Sequence, residues 1–323
     1  MSANQSLPEK NFSVIEKAPI WWALSGTLIL ISLIMISLSI AKFKSPVKLG
    51  LDFTGGAKIE YKFKKPNDNL SSGNITEKVL KPLGKDFAID SISQVSEKQY
   101  LILRTKELNL KQREKLDQDL KTNFGDFEVL SVDAVSGTIG PELLRSGLLA
   151  LFITLIGILA FVSYRFSQDF AICAIIALCH DILLVIGLFA ALGLFMGLEV
   201  NSLFLTACLT VLGFSIHDTI VVFDRIRENK KYLSKKKNLT VIIDESIKQV
   251  WFRSTCTSVT TLITLGALLI FGGESTKIFA GAMFAGILTG AYSSIFVASV
   301  LLGKWNLWQD KKKTASKKTK SIG

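Results

Sequence analysis

Six apolar runs of 18 or more residues, almost free of charge, punctuate this chain. A helix rising 1.5 Å per residue needs about 20 apolar residues to cross the hydrocarbon core of a bilayer. Within lipid each segment must satisfy its own backbone hydrogen bonds, so the runs specify helices. Six spans leave roughly 200 of the 323 residues outside the hydrocarbon. A mean hydropathy of +0.39 agrees. A soluble enzyme built on one large core is excluded, and so is a disordered basic tail protein.

The runs fall at 20–41, 146–164, 170–192, 200–223, 254–271 and 278–302. The first is too long for a signal-peptide core and reads as a retained anchor. Lys and Arg outnumber Asp and Glu by 38 to 27, a net charge of +11. Nine of these cations lie in 224–253 and seven after Gly303, while the loops 193–199 and 272–277 contribute only Lys277. The flanking spans explain the charge, so no nucleic-acid partner is expected. With positive flanks inside, both termini are cytoplasmic and 42–142 lies outside, long loops being exempt from the charge rule. The expected parts are a cytoplasmic N-terminus (1–19), the anchor, an external domain (42–142), a five-helix bundle (143–302) with a basic cytoplasmic loop at 224–253, and a basic tail (303–323).

The external domain reads as a small α/β module. Residues 57–63 alternate apolar and polar, as a half-buried strand does. A helix is expected over 74–84 with Asn74 as N-cap and Glu77 three residues on. Strands are expected at 86–95 and 98–104, a helix at 109–123 and a last strand at 126–135. The order βαββαβ is that of a ferredoxin-like fold. In the cytoplasmic loop, Thr240 is expected to cap a short interfacial helix whose Ile243, Ile247, Val250 and Trp251 lie against the bilayer. Cys173, Cys179, Cys208 and Cys256 all fall within or beside apolar runs. They are expected to be small buried side chains, with no disulfide framework and no zinc spacing.

Three ionisable groups stand where hydrocarbon disfavours them. Asp181, preceded by His180, is near the middle of the third span. Asp218, preceded by His217, is in the cytoplasmic half of the fourth. Arg253 opens the fifth, at a depth where it can pair with Asp218. Ser215 and Phe214 share the helix face of Asp218, whereas His217 is 100° away. Neither His–Asp neighbour pair is therefore a demonstrated dyad. An Asp whose Arg partner approaches and withdraws can load and release a proton, and the bland alternative is a static pair that locks the bundle. Gly286 and Gly290 suit close helix contact. Asp52, Gly55 and Gly56 form a sharp turn before a strand. The chain has no phosphate loop, nucleophile triad or metal cluster in its pattern, so no metal and no ATP site is expected.

Four segments together resemble one family. They are LGLDFTGG (49–56), SGTIGPELLRSG (136–147), LCHD (178–181) and, most specifically, VLGFSIHDTIVVFDRIREN (211–229). They resemble the SecD/SecF protein-export membrane proteins, and within them the smaller SecF branch, related to the resistance–nodulation–division transporters. The resemblance covers nearly the whole chain. It implies a polytopic bacterial inner-membrane protein of six transmembrane helices with one periplasmic domain. It further implies a Sec translocase subunit, not an enzyme, that promotes secretory protein export with SecD beside the SecY–SecE–SecG channel and YajC. Its substrate would be unfolded secretory polypeptide, and its energy source the proton-motive force in place of a cofactor. Asp218 and Arg253 match the family's membrane-embedded pair implicated in proton flow, and Asp181 matches its HD motif. The family often has Asn where His217 stands, which leaves His217, like His180 and Ser215, as a candidate supporting group. Two alternatives compete: a small-molecule exporter, which would need about twelve spans and two large outer domains, and a passive scaffold, which would tolerate loss of Asp218.

Overall fold

The computed structural model describes residues 13–64, 72–80, 89–95, 100–105, 110–233 and 238–320. It divides into two compact units, residues 1–48 with 149–323, and residues 49–148. Among the described residues six helices are long and apolar enough to cross a membrane.

Helix α1 (Ala18–Phe43) is apolar on all sides, yet its buried side chains are Ala18, Ser25, Ser32 and Ser39. Three of these are serines spaced seven residues apart, so one narrow stripe of small polar residues faces the neighbour. That neighbour is α6, and there Gly187 meets Ser32 so closely that an added Cβ would stand 2.3 Å from the Ser32 Cβ. In lipid, where apolar burial drives little association, such small-residue contact is what holds helices together. Ahead of α1, Ser13 Oγ and the backbone N–H of Val14 donate to the Asp244 carboxylate at 2.5 and 2.8 Å.

The second unit starts with a helical turn α2 (Leu51–Thr54) and strand β1 (Gly56–Phe63). Helical residues follow at α3 (Ser72–Ile75), which runs into a π turn, Thr76–Leu80. Asn74 therefore lies inside the helix, not at its N-cap. Next come β2 (Ile89–Val95), β3 (Tyr100–Thr105), α4 (Leu110–Phe124) and β4 (Phe127–Val135). Residues 81–88, 96–99 and 106–109, on which the outer ends of these expected elements fall, lie outside the described set. The four strands form one antiparallel sheet in the order β2–β3–β1–β4. Alternation puts Ile59, Tyr61 and Phe63 on one face, against Ile75, Val79, Leu116 and Leu120 from the helices. The Tyr61 hydroxyl donates to Asp117 Oδ1 at 2.6 Å. Burial, then that bond to a carboxylate, push the phenol well above its ordinary value.

The remaining spans are α5 (Ile139–Arg165), α6 (Gln168–Phe195), α7 (Ser202–Leu233), α8 (Leu239–Phe271) and α9 (Glu274–Ser293). After α9 a π turn, Ser294–Ala298, leads without a break into α10 (Ser299–Lys320). Helix α5 buries only 6% of its apolar window within the chain, against 56% for α6.

The stretch 224–253 is not a loop carrying a separate interfacial helix. Helix α7 has 32 residues and α8 has 33. At 1.5 Å per residue each is about 50 Å long, well beyond the hydrocarbon thickness. Their ends form a helical hairpin, in which Asn229 Nδ2 donates to Ser246 Oγ and to Gln249 Oε1, both at 2.9 Å. Ile243 and Ile247 are buried in the core of the helical unit with Val222 and Ile226, not turned to lipid. Thr240 is the second residue of α8, and Asn238 holds the N-cap position. Lys235, Lys236 and Lys237 lie outside the described residues. Of the cysteines, Cys173 and Cys208 are buried, whereas Cys179 and Cys256 are exposed on outward helix faces, because a span has a lipid side as well as a packed side.

Candidate functional site

Asp181 is the centre of a closed polar cluster. Its side chain is fully buried where α6, α7 and α9 meet. Ser215 Oγ of α7 and Ser293 Oγ of α9 both donate to its Oδ2, at 2.5 and 2.7 Å. His180 Nδ1 lies 2.9 Å from its Oδ1. His180 and Asp181 thus form a buried pair although they are sequence neighbours. Where Oδ1 accepts, Nδ1 carries the hydrogen. Nε2 is buried, with no hydrogen-bond partner among the described residues.

The cluster exists because glycine lets α9 approach α7. An added Cβ on Gly286 would stand 2.2 Å from Val211 Cγ2, and one on Gly290 would stand 3.1 Å from the Ser215 Cβ. Val211 and Ser215 are one turn apart, as are Gly286 and Gly290, so two steps of one helix fit two steps of the other. Ser293 follows within the next turn of α9 and is the last residue before the π turn.

Asp218 is held differently. It is half-buried, and among the described residues its side-chain hydrogen-bond partner is Ser258, whose Oγ donates across 3.3 Å. That hydroxyl is shared, since it also donates to Ser254 O at 3.0 Å. Asp218 opens onto a cavity of about 130 Å³ that Ser215, His217, Thr257, Ser258, Thr261 and Gly290 help to line. A water needs only some 10–15 Å³ of such space and a few polar partners, so this volume holds several.

Among the described residues Arg253 makes no ion pair, and Ser258 takes the place expected for it beside Asp218. The reason is angular: Arg253 and Ser258 are five positions apart on α8, about 140° around the helix. The Arg253 side chain is exposed, and its carbonyl accepts from Thr257 Oγ1 at 2.6 Å. His217 is exposed and lines the cavity. Ser215, expected on the Asp218 face, both borders that cavity and bonds to Asp181. Sequence reading missed Ser293 and Ser258. Their signal was a hydroxyl inside an apolar run, but many such hydroxyls merely bond back to their own helix, as Thr260 does to Cys256 O.

In the second unit the turn residues act through backbone packing. Gly55 and Gly56 have φ of +69° and +112°, in the region open to glycine. An added Cβ on Gly55 would stand 2.7 Å from the Gly137 Cα, and one on Gly140 would stand 2.8 Å from Phe53 O. The LDFTGG turn and the SGTIG stretch therefore lock together backbone to backbone. Asp52 is the second residue of that turn.

The chain matches two family models. "SecD/SecF GG Motif" covers residues 43–66, and "Protein export membrane protein SecD/SecF, C-terminal" covers residues 115–308. It is similar to the protein translocase subunit SecF of Synechocystis sp., with 40% identity over 294 residues, 90% of this chain and 93% of that one. The SecF of Sebaldella termitidis is 38% identical over 285 residues, 88% of each chain. Among solved structures the fold is similar to SecDF, a translocon-associated membrane protein of Thermus thermophilus. The TM-score is 0.74 at 31% identity, over 92% of this chain and 39% of that longer one. This chain thus spans about two fifths of the solved SecDF chain.

Proposed function

The chain belongs to the SecF branch of the SecD/SecF protein-export family, and we propose that it draws on the proton gradient, through Asp218, to promote export of unfolded secretory polypeptides. It is a Sec translocase subunit of the inner membrane. The observation that carries the proton-coupled reading is the half-buried Asp218 carboxylate with one long, shared hydrogen bond, facing a cavity with room for water. An intramembrane carboxylate that is neither locked nor dry is suited to take up and release a proton. His217 shares the cavity and is a second group able to titrate there. Arg253 acts as the approaching and withdrawing cation, which requires α8 to rotate relative to α7. Asp181, His180 and Ser215 form the supporting arm.

The positive flanks support cytoplasmic termini and a periplasmic 42–142. The strand order supports a ferredoxin-like outer unit. The nearly uncovered α5 supports a membrane partner, which the family resemblance makes SecD. The SecY–SecE–SecG channel and YajC complete the assembly in this reading. No step uses ATP.

The test is Asp218→Asn in the full chain beside its partner subunit. Asn keeps the shape and the hydrogen bonding but cannot ionise. Wild-type abundance with gradient-driven export reduced at least about tenfold is expected, a barrier of roughly 1.4 kcal/mol or more. Unchanged export removes Asp218 from the mechanism.

A further inference from the structure

We infer that Ser215 carries protons between the Asp218 cavity and the Asp181–His180 pair, and that Ser293 is the residue that positions Asp181 to receive them. This inference rests on the proton-coupled reading and extends it to a second carboxylate.

Ser215 is the side chain common to both places. It is buried, its Oγ is 2.5 Å from Asp181 Oδ2, and it borders the cavity onto which Asp218 opens. A hydroxyl has one hydrogen to give and lone pairs to receive another, so it passes a proton without carrying charge for long. The step balances with one cavity water. The carboxylic acid of Asp218 gives its proton to the water, breaking one O–H bond and forming another. The water gives a proton to Ser215 Oγ while the proton already on Oγ moves to Asp181 Oδ2. Asp218 ends as a carboxylate and Asp181 as a carboxylic acid. The water and Ser215 end as they began, and the reverse order returns the proton.

The other contacts of Asp181 fix which oxygen receives. His180 Nδ1 occupies Oδ1, leaving Oδ2 to the hydroxyls. Ser293 Oγ reaches Oδ2 at 2.7 Å, from the last residue of α9 before the π turn, and also donates to Gly290 O at 3.3 Å. π turns inserted in helices are recurrent at functional sites. Helix α1, whose Trp22 and Ser25 line a cavity with His180, has no ionisable residue between Lys17 and Lys42, and α9 brings the Tyr292 phenol, held by Ser25 and Trp21 O, its Glu274 and Lys277 lying four or more turns before Ser293.

The test uses the purified full chain for infrared spectroscopy and the chain with its partner subunit for gradient-driven export. Infrared difference spectra between two pH values are assigned by Asp181→Asn and Asp218→Asn. A carboxyl band that disappears in Asp181→Asn is expected. Ser215→Ala should abolish that band, keep the Asp218 band, and reduce export about tenfold at wild-type abundance. Ser293→Ala should shift the Asp181 band and reduce export about threefold. A difference spectrum in which Asp181→Asn matches wild type overturns the inference, as does Ser215→Ala exporting normally. Should Ser215→Ala fail to accumulate, the Asp181→Asn comparison decides by itself. Loss of export in Asp218→Asn alone, with Ser215→Ala normal, leaves the proton-coupled reading standing and removes only the second carboxylate.

Discussion

Asp181 and Asp218 sit on successive spans and are both acids in hydrocarbon, each just after a histidine, yet their surroundings are opposite. Asp181 is fully buried with contacts from three side chains on three elements counting its own helix. Asp218 is half-buried, with one 3.3 Å bond to a hydroxyl that is already engaged. A carboxylate satisfied on both oxygens ties helices together, and removing it strands its donors. A carboxylate that is barely held beside a hydratable space changes partners at little cost. The same residue type therefore ties helices together in one place, where any proton must pass through its hydrogen-bond partners, and stands open to exchange in the other.

The largest effect that can break this contrast is on stability. Asp181→Leu leaves Ser215 and His180 Nδ1 without their partner and Ser293 with only its long bond to Gly290 O, at about 1–3 kcal/mol for each buried group left unpaired. Net stabilities are only about 5–15 kcal/mol, so abundance in membranes and melting temperature in detergent should fall sharply. Asp218→Leu should change both little. Equal losses in the two variants would show that the contrast is false.

Gly286→Ala comes next. Its Cβ would stand 2.2 Å from Val211 Cγ2, forcing α9 off α7 at about 1–3 kcal/mol and lengthening the Ser293–Asp181 bond. A double-mutant comparison with Ser293→Ala should be non-additive by at least about 0.5 kcal/mol. Additive losses would mean that the glycine contact and the carboxylate cluster are independent.

A control outside the bundle is smaller. Tyr61→Phe removes the bond to Asp117 and should cost the outer unit about 1.5 kcal/mol while leaving export near normal. The phenol is raised in the folded state. Its contribution is therefore whole below the unfolded value near 10 and is lost as the pH rises from there toward the folded value. An unfolding series from pH 8 to 11 on wild type and Tyr61→Phe checks this: the gap should be flat to about pH 10 and then narrow.

Ser258→Ala should have the smallest effect. It deletes a long, shared bond, so stability should move by less than about 1 kcal/mol. A larger loss in a melting experiment would mean that Asp218 is held more firmly than its geometry indicates.

The spans, the separate α/β unit with its alternating strand 57–63, and the close approach at Gly286 and Gly290 were all legible in the residues. Each depends on periodicity or side-chain size along one helix or strand. The hairpin at 224–253 was not legible, because polar residues past the hydrocarbon looked like loop although their helices continue. Nor were the roles of Ser293 and Ser258, which depend on which helix stands opposite.

By itself the sequence determined that this chain crosses a membrane six times, which residues are ionisable there, and which family it resembles. Those properties follow from local runs, where the cost of burying charge and unpaired backbone in lipid leaves few choices. The tertiary structure alone decided which acid is locked and which is open. Helical angle places Ser215 and Asp218 on one face of α7, but only the depth to which α9 sinks at its glycines turns Ser215 toward Asp181 and sets Ser293 beside it. Likewise, 140° of rotation along α8 separates Arg253 from the face that meets Asp218, although by depth alone the two were matched.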